Sequence, residues 1–114
     1  MLPRIVVLIR EDPVKTPRAV EALRIALGLS TGENPLTVVL LNNAPLLLGE
    51  DTDDLVDGEI LEKHLPVFKE LKTPFVVPHG TMRSFSLDPE FDIREASADD
   101  MASLISKADR VLVF

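Results

Sequence analysis

The chain has 114 residues, of which 46% are apolar and 27% charged, values that predict one folded domain over residues 1–114. Its net charge of −7 disfavours nucleic acid and anionic membrane surfaces as partners. The chain has no cysteine, which excludes disulfides, thiolate catalysis, persulfide carriage and zinc–thiolate sites.

The first apolar run is short. It extends only from Ile5 to Ile9, whereas a signal peptide needs a longer apolar stretch and a membrane span needs about 20 apolar residues. The sequence therefore predicts a soluble, cytoplasmic protein.

The first half of the chain has a strand–helix–strand pattern. Apart from Arg4 and Thr37, Arg4–Ile9 and Leu36–Leu41 are apolar throughout, which is typical of strands buried on both faces. Thr16 and Pro17 resemble a helix N-cap and first turn, so a helix is expected from Pro17 to about Leu29. Such a βαβ unit favours parallel pairing with a right-handed crossover.

The helix predicted after Pro17 is apolar around most of its circumference. Its polar residues Arg18, Glu21 and Arg24 form one narrow row. The remaining surface needs cover on more than one side. Either the sheet and a neighbouring helix supply that cover, or a subunit interface does.

The second half of the chain alternates in the same way. Ala44–Gly49 is interpreted as a short helix or a docked loop, and Pro66 predicts a kink or two short helices near Leu65 within Gly58–Leu71. Phe75–Val77 is predicted to be a central strand that ends at Pro78. The further expected elements are a helical turn within Met82–Leu87, an edge strand at Phe91–Glu95, a helix capped by Ser97 and a last strand at Arg110–Phe114. The fold class is therefore α/β with a mainly parallel sheet.

Three segments carry a resemblance to a known family. They are Val38–Leu48, Phe75–Gly80 and Ser97–Phe114. With these segments and the order of its elements, the chain resembles the DsrE/DsrF-like family of small proteins related to sulfur-relay subunits. The resemblance implies a three-layer flavodoxin-like fold with helices on both faces, and assembly into trimers, hexamers or mixed oligomers with a cysteine-bearing relative.

One departure from the family pattern limits what can be carried over. Active members have a sulfur-carrying cysteine at the end of the central strand, where this chain has Pro78, His79 and Gly80. Imidazole cannot form a persulfide, so the family's sulfur transfer is not expected here. The resemblance still implies the location of a pocket, and no cofactor is expected.

His79 is the main candidate for chemistry. It could act as a general base, a ligand-orienting donor or a metal ligand, or it could simply bond to the backbone of its loop. Arg83 could hold an anion together with the amides of Gly80 and Thr81, or it could be solvated.

The other strand ends supply further candidates. Asp12, Asn42 and Asn43 should lie at the same sheet edge as His79 if the strands are parallel. A pair between His79 and Asp12 or Glu11 would raise the imidazole pKa and orient the ring. Asn42 and Asn43 are also common in turns and caps. No spacing of histidines or carboxylates predicts a metal site.

Two hypotheses of function follow. The first is a DsrE-like oligomer that acts as a non-catalytic binding or scaffold subunit, associated with sulfur metabolism. The alternative is a small-molecule-binding protein or enzyme that uses His79 and Arg83 at the carboxyl ends of the strands.

Overall fold

Five strands form one sheet with the order β4-β3-β2-β1-β5, and every neighbouring pair is parallel. The computed structural model describes residues 2–114. The strands are Ile5–Ile9 (β1), Leu36–Leu40 (β2), Phe75–Pro78 (β3), Ile93–Ala96 (β4) and Arg110–Val113 (β5). The helices are Arg18–Ser30 (α1), Gly58–Leu71 (α2), Thr81–Ser84 (α3) and Ala98–Ser106 (α4), with a 3₁₀ helix at Ala44–Leu48. The predicted α/β class is confirmed.

The strand order decides which face the connecting helices cover. From β1 to β4 the chain moves toward one edge, and it then returns past three strands to add β5 at the other edge. Parallel connections are right-handed, so a reversal of direction moves the connecting helix to the opposite face. In agreement, α1 and α2 pack against each other on one face, and α4 packs on the other.

Each face has its own apolar core. The larger core lies beneath α1 and α2, where the ring of Phe75 meets Phe68 and Phe91 edge to face, at centroid distances of 5.6 and 5.8 Å. The smaller core lies beneath α4 and consists of Val6, Leu8, Val39 and Met101 with partly buried neighbours. The middle of the sheet is β2, whose Val38, Val39 and Leu40 are fully buried. The strand expected to be central, β3, is next to the edge strand β4.

The wide apolar surface of α1 is covered by other parts of the same chain. Its buried residues pack against the sheet, the 3₁₀ helix and α2, while Arg18, Glu21 and Arg24 are exposed. The structure therefore favours the neighbouring-helix explanation over the subunit interface. The helix begins one residue after Pro17, and the hydroxyl of Thr16 accepts the Arg18 amide at 3.3 Å.

The helix α2 passes through Pro66 without a break. Of the two forms predicted near Leu65, a kink or two short helices, the second is therefore wrong. Pro66 is exposed, so its ring meets water rather than the core, and the amide that it lacks would have bonded to the carbonyl of Glu62. The apolar stripe of α2 explains why the helix tolerates this loss, since Leu61, Leu65 and Phe68 are buried on both sides of the proline.

Several local predictions are confirmed. The hydroxyl of Ser97 accepts the Asp100 amide at 3.1 Å and caps α4. The apolar segment after Asn43 is the 3₁₀ helix, and β4 is a short edge strand. The helical turn expected within Met82–Leu87 begins one residue earlier, at Thr81. Among the described residues, no helix is both long enough and apolar enough to span a bilayer.

Replacing Pro66 by alanine should stabilise the fold. The new amide restores the bond to Glu62, and a proline inside a helix costs about 3 kcal/mol relative to alanine, partly offset by the proline's stiffening of the unfolded chain. We expect the free energy of unfolding in urea to rise by about 1–3 kcal/mol. The exposed Lys63→Ala change on the same helix is the control, with an expected effect within about 0.5 kcal/mol. A less stable Pro66→Ala protein would contradict this account.

Candidate functional site

The carboxyl ends of the parallel strands bring the predicted site residues to one edge of the sheet. Asp12 follows β1, Asn42 and Asn43 follow β2, and His79 follows β3. They form two groups at this edge, because β2 separates β1 from β3.

The first group links the ends of β1 and β2. The side-chain amide of Asn43 donates to Asp12 Oδ2 at 3.1 Å, and the Val14 amide donates to Asp12 Oδ1 at 2.9 Å. The Val14 amide, followed by Asn43, holds the pKa of Asp12 below its usual value. Asn42 has a left-handed backbone with φ of 57° and donates to the carbonyl of Arg10 at 3.4 Å. These contacts hold the two loops together.

The second group surrounds His79. Its amide continues the sheet by donating to the carbonyl of Ala96 at 3.0 Å, while its side chain is 86% exposed. The predicted pair with Asp12 or Glu11 is wrong, because strands two places apart are separated by about 10 Å. The carboxylate near the imidazole is instead Glu95, whose Oε1 lies 3.5 Å from His79 Nδ1.

Glu95 is the residue of this site that the sequence analysis missed. It lies in β4 in register with Val77 of β3, so the parallel pairing places it beside the loop that follows β3. Its Oε2 accepts the Met82 amide at 2.9 Å. The amides of Met82 and Gly80 and the charges of His79 and Arg83 lower the pKa of Glu95. The sequence signal that could have identified Glu95 is the predicted edge strand. Parallel pairing of that strand with β3 places Glu95 beside the loop that carries His79.

The remaining predicted residues shape the same loop. Gly80 has a φ of +92°, a conformation that residues with a side chain rarely adopt. Thr81 is buried, and its hydroxyl donates to the carbonyl of Pro78 at 2.6 Å. Arg83 is exposed on α3. The amides of this loop that point toward a potential anion thus already face the chain's own carboxylate, Glu95.

An open groove of about 520 Å³ lies beside His79, between the strand ends and α4. Its lining is mainly apolar, and its polar side chains are His79 and Ser97, whose hydroxyl already accepts the Asp100 amide. The lining residues are Leu41, Pro78, His79, Ala96, Ser97, Ala98, Met101, Ala102 and Ile105. This groove matches the location at which parallel α/β sheets bind ligands.

A larger cleft of about 690 Å³ lies at the start of α2 and is acidic. Its carboxylates are Asp53, Asp57, Glu59 and Glu62, and Glu62 accepts the hydroxyl of Thr52 at 3.2 Å. Within residues 2–114, no three histidine or carboxylate side chains are placed to hold a metal ion together. The cleft lies away from the groove and shares no lining residue with it.

Comparison with known proteins supports the fold. The chain is similar to a solved structure, the YchN protein from E. coli, with a TM-score of 0.78 at 20% sequence identity. The match covers 99% of this chain and 100% of that chain. YchN has a DsrE-like fold, and this confirms the fold expected from the resemblance. No model of a known protein family matches the chain, and no curated protein sequence matches it.

The contacts of Glu95 predict a pH-dependent loop. Because the folded state lowers the pKa of Glu95, its stabilisation is complete above the ordinary glutamate pKa of about 4.3 and is lost as the pH falls through the lower folded value. Glu95→Gln should lower the melting temperature at pH 7 and speed hydrogen exchange of the Met82 amide. The difference from the native protein should shrink toward pH 3.

The exposed Glu50→Gln change is the matched control, since it removes the same charge from a surface position. It should leave the Met82 amide unchanged at every pH. An effect of Glu95→Gln that is as large at pH 3 as at pH 7 would show that the carboxylate does not hold the loop.

Proposed function

We propose that the protein is a non-catalytic, self-associating binding subunit, and that the groove beside α4 is its binding site. The observation that carries this proposal is the composition of the edge. The groove is mainly apolar, while the carboxylates of Asp12 and Glu95 at this edge already accept hydrogen bonds from amides of the chain.

Catalysis by acid–base chemistry needs polar groups that converge on a free space. At this edge Asp12 bonds to Val14 and Asn43, and Glu95 bonds to the loop that follows β3. Thr81 is buried with its hydroxyl committed to Pro78. These groups support the walls of the site rather than reach into it. A surface of this kind favours binding over turnover.

The chemistry of the groove also favours one class of ligand. A volume of about 520 Å³ suits a small molecule, and the apolar walls suit a largely apolar one. Asp99 and Asp100 in the first turn of α4, together with the chain's net charge of −7, disfavour an anion. We therefore propose an uncharged, mainly apolar ligand that meets one polar group, His79, at the mouth of the groove.

A second candidate is a small-molecule enzyme that uses His79. The distance of 3.5 Å between His79 Nδ1 and Glu95 favours it, because a carboxylate beside an imidazole orients the ring for proton transfer. Arg83 on the neighbouring turn would then contact the substrate. This candidate requires Glu95 to serve both the imidazole and the amide of Met82.

The biological setting that we propose follows the resemblance in sequence and the shared fold. A chain without a thiol would serve beside a cysteine-bearing relative in sulfur metabolism, in the cytoplasm. Its own part would be to bind a ligand or to complete the assembly.

Self-association is tested by multi-angle light scattering on purified protein at micromolar concentration. We expect a mass that is a multiple of the monomer mass, with a trimer or hexamer as the result that the resemblance implies. A strict monomer across a concentration series would remove the assembly from the proposal and leave the groove to be judged separately.

Binding in the groove is tested with Nile red, a neutral apolar dye. Ala102→Trp should weaken its binding at least tenfold by filling the groove, because Ala102 lines the groove from α4. Ser106→Trp adds the same side chain one turn later on α4, outside the lining, and should bind the dye like the native protein.

His79→Ala tests whether dye binding depends on the polar side chain at the mouth of the groove. A binding subunit should keep its affinity for the dye to within about threefold after His79→Ala, since a contact to so exposed a side chain lies at the low end of the usual range, at about 0.5 kcal/mol. Equal dye binding by Ala102→Trp and the native protein would overturn the groove as the site.

A further inference from the structure

The edge strand β5 leaves apolar side chains in water. Val111, Leu112 and Val113 are 36%, 37% and 53% exposed, although their partners in β1 are buried. Val111 and Val113 are in register with Val6 and Leu8, so they lie on the face of the sheet that α4 covers, and Leu112 lies on the other face. Neither face of β5 is fully covered.

The backbone of β5 is open as well. The Arg110 amide bonds to the carbonyl of Arg4 at 3.1 Å, and the Phe114 amide bonds to that of Leu8 at 2.8 Å. In a parallel pair, alternate residues direct their amide and carbonyl toward the same neighbour. The amides and carbonyls of Val111 and Val113 therefore point away from the sheet, toward open space.

The opposite edge of the sheet is protected. There β4 carries Arg94 and Glu95, and the Glu95 carboxylate bonds to the loop that follows β3. Charged side chains on an edge strand are a common means by which proteins prevent pairing with another chain. Although β5 begins with Arg110, its run Val111-Leu112-Val113 has no charged or proline residue, so β5 is the edge better suited to pairing within the described sheet.

We propose that β5 pairs with β5 of a second copy, antiparallel, about a two-fold axis at Leu112. This inference rests on the self-association proposed above and names the surface responsible. Val111 of one copy lies opposite Val113 of the other, so that both valines exchange backbone hydrogen bonds. Their side chains meet on the α4 face, and the two Leu112 side chains meet on the other. A ten-stranded sheet results.

The charges beside β5 favour the antiparallel direction. The amino end of this edge is mainly basic, with Arg4, Lys107 and Arg110 against Asp109. At the carboxyl end Arg10 is followed by Glu11, and the Asp12 carboxylate is turned toward Asn43 at the end of β2. Antiparallel pairing keeps the two basic ends apart, whereas parallel pairing would place them together. A two-fold contact uses the same surface on both copies, so this pairing is closed and occurs in a dimer or a hexamer but not in a trimer.

The pairing is tested first with Leu112→Cys. The native chain has no cysteine, so the introduced thiol is unique. Residues on the axis of such a pair have Cα atoms about 4.5 Å apart, which is within the range that a disulfide spans. Under mild oxidation, Leu112→Cys should form a covalent dimer rapidly and in most of the protein. Val14→Cys, at a residue that is 46% exposed elsewhere, is the matched control and should cross-link slowly.

A second variant tests the contact without a new bond. Val113→Lys should raise the dissociation constant of the assembly at least tenfold in sedimentation velocity, because it places a charge on the pairing edge. Val14→Lys should leave that constant unchanged. In the native protein, the Val111 and Val113 amides should exchange hydrogen more slowly as the protein concentration rises.

The outcomes separate this inference from the proposed function. If the protein self-associates but Leu112→Cys cross-links no faster than Val14→Cys, the β5 pairing is overturned and the self-association stands on another surface. If the native protein is a monomer at every concentration, both the pairing and the assembly are overturned. Neither result bears on the groove. Circular dichroism shows whether the Val113→Lys protein is folded, and its binding of Nile red shows whether its groove is intact.

Discussion

The structure depends on one constraint, the right-handed crossover between parallel strands. The chain adds β2, β3 and β4 in one direction and then adds β5 beside β1. A right-handed connection that reverses direction must cross the other face, so α1 and α2 share one face while α4 covers the other. The crossover also aligns the carboxyl ends of all the strands, and it thereby creates a single edge at which four loops meet.

The same constraint explains why the α4 face carries both surfaces proposed for binding. A helix is about 10 Å across with its side chains, whereas five strands span about 19 Å. The single helix α4 therefore covers only the middle of the face, where its Met101 packs on Val6 and Val39. It leaves a groove where its first turns diverge from the strand ends, and it leaves Val111 and Val113 uncovered at the β5 edge.

Local patterns in the sequence were sufficient to predict the elements but not the pairing between them. The apolar runs and the Ser97 cap identified β1, β2 and α4, since their signals lie within a few residues. Pro66 led to the wrong prediction of two short helices, because the apolar stripe buried on both sides of it outweighs the loss of one hydrogen bond. The partner of His79 depends on strand order, which no local pattern contains, and so Asp12 or Glu11 was predicted in place of Glu95.

The contacts of Glu95 connect the fold to its chemistry. An oxygen at the start of a short helix meets amides that would otherwise bind an external anion. Here β4 supplies that oxygen from within the sheet, so the amides of the loop that follows β3 already have a partner in the chain itself. The positive character of the loop is thereby neutralised, and Arg83 is left exposed to solvent. With its amides engaged in this way, the edge offers apolar contact as its main means of recognition. We therefore expect the proposed site to select a ligand by shape and hydrophobicity, with an affinity that depends little on salt.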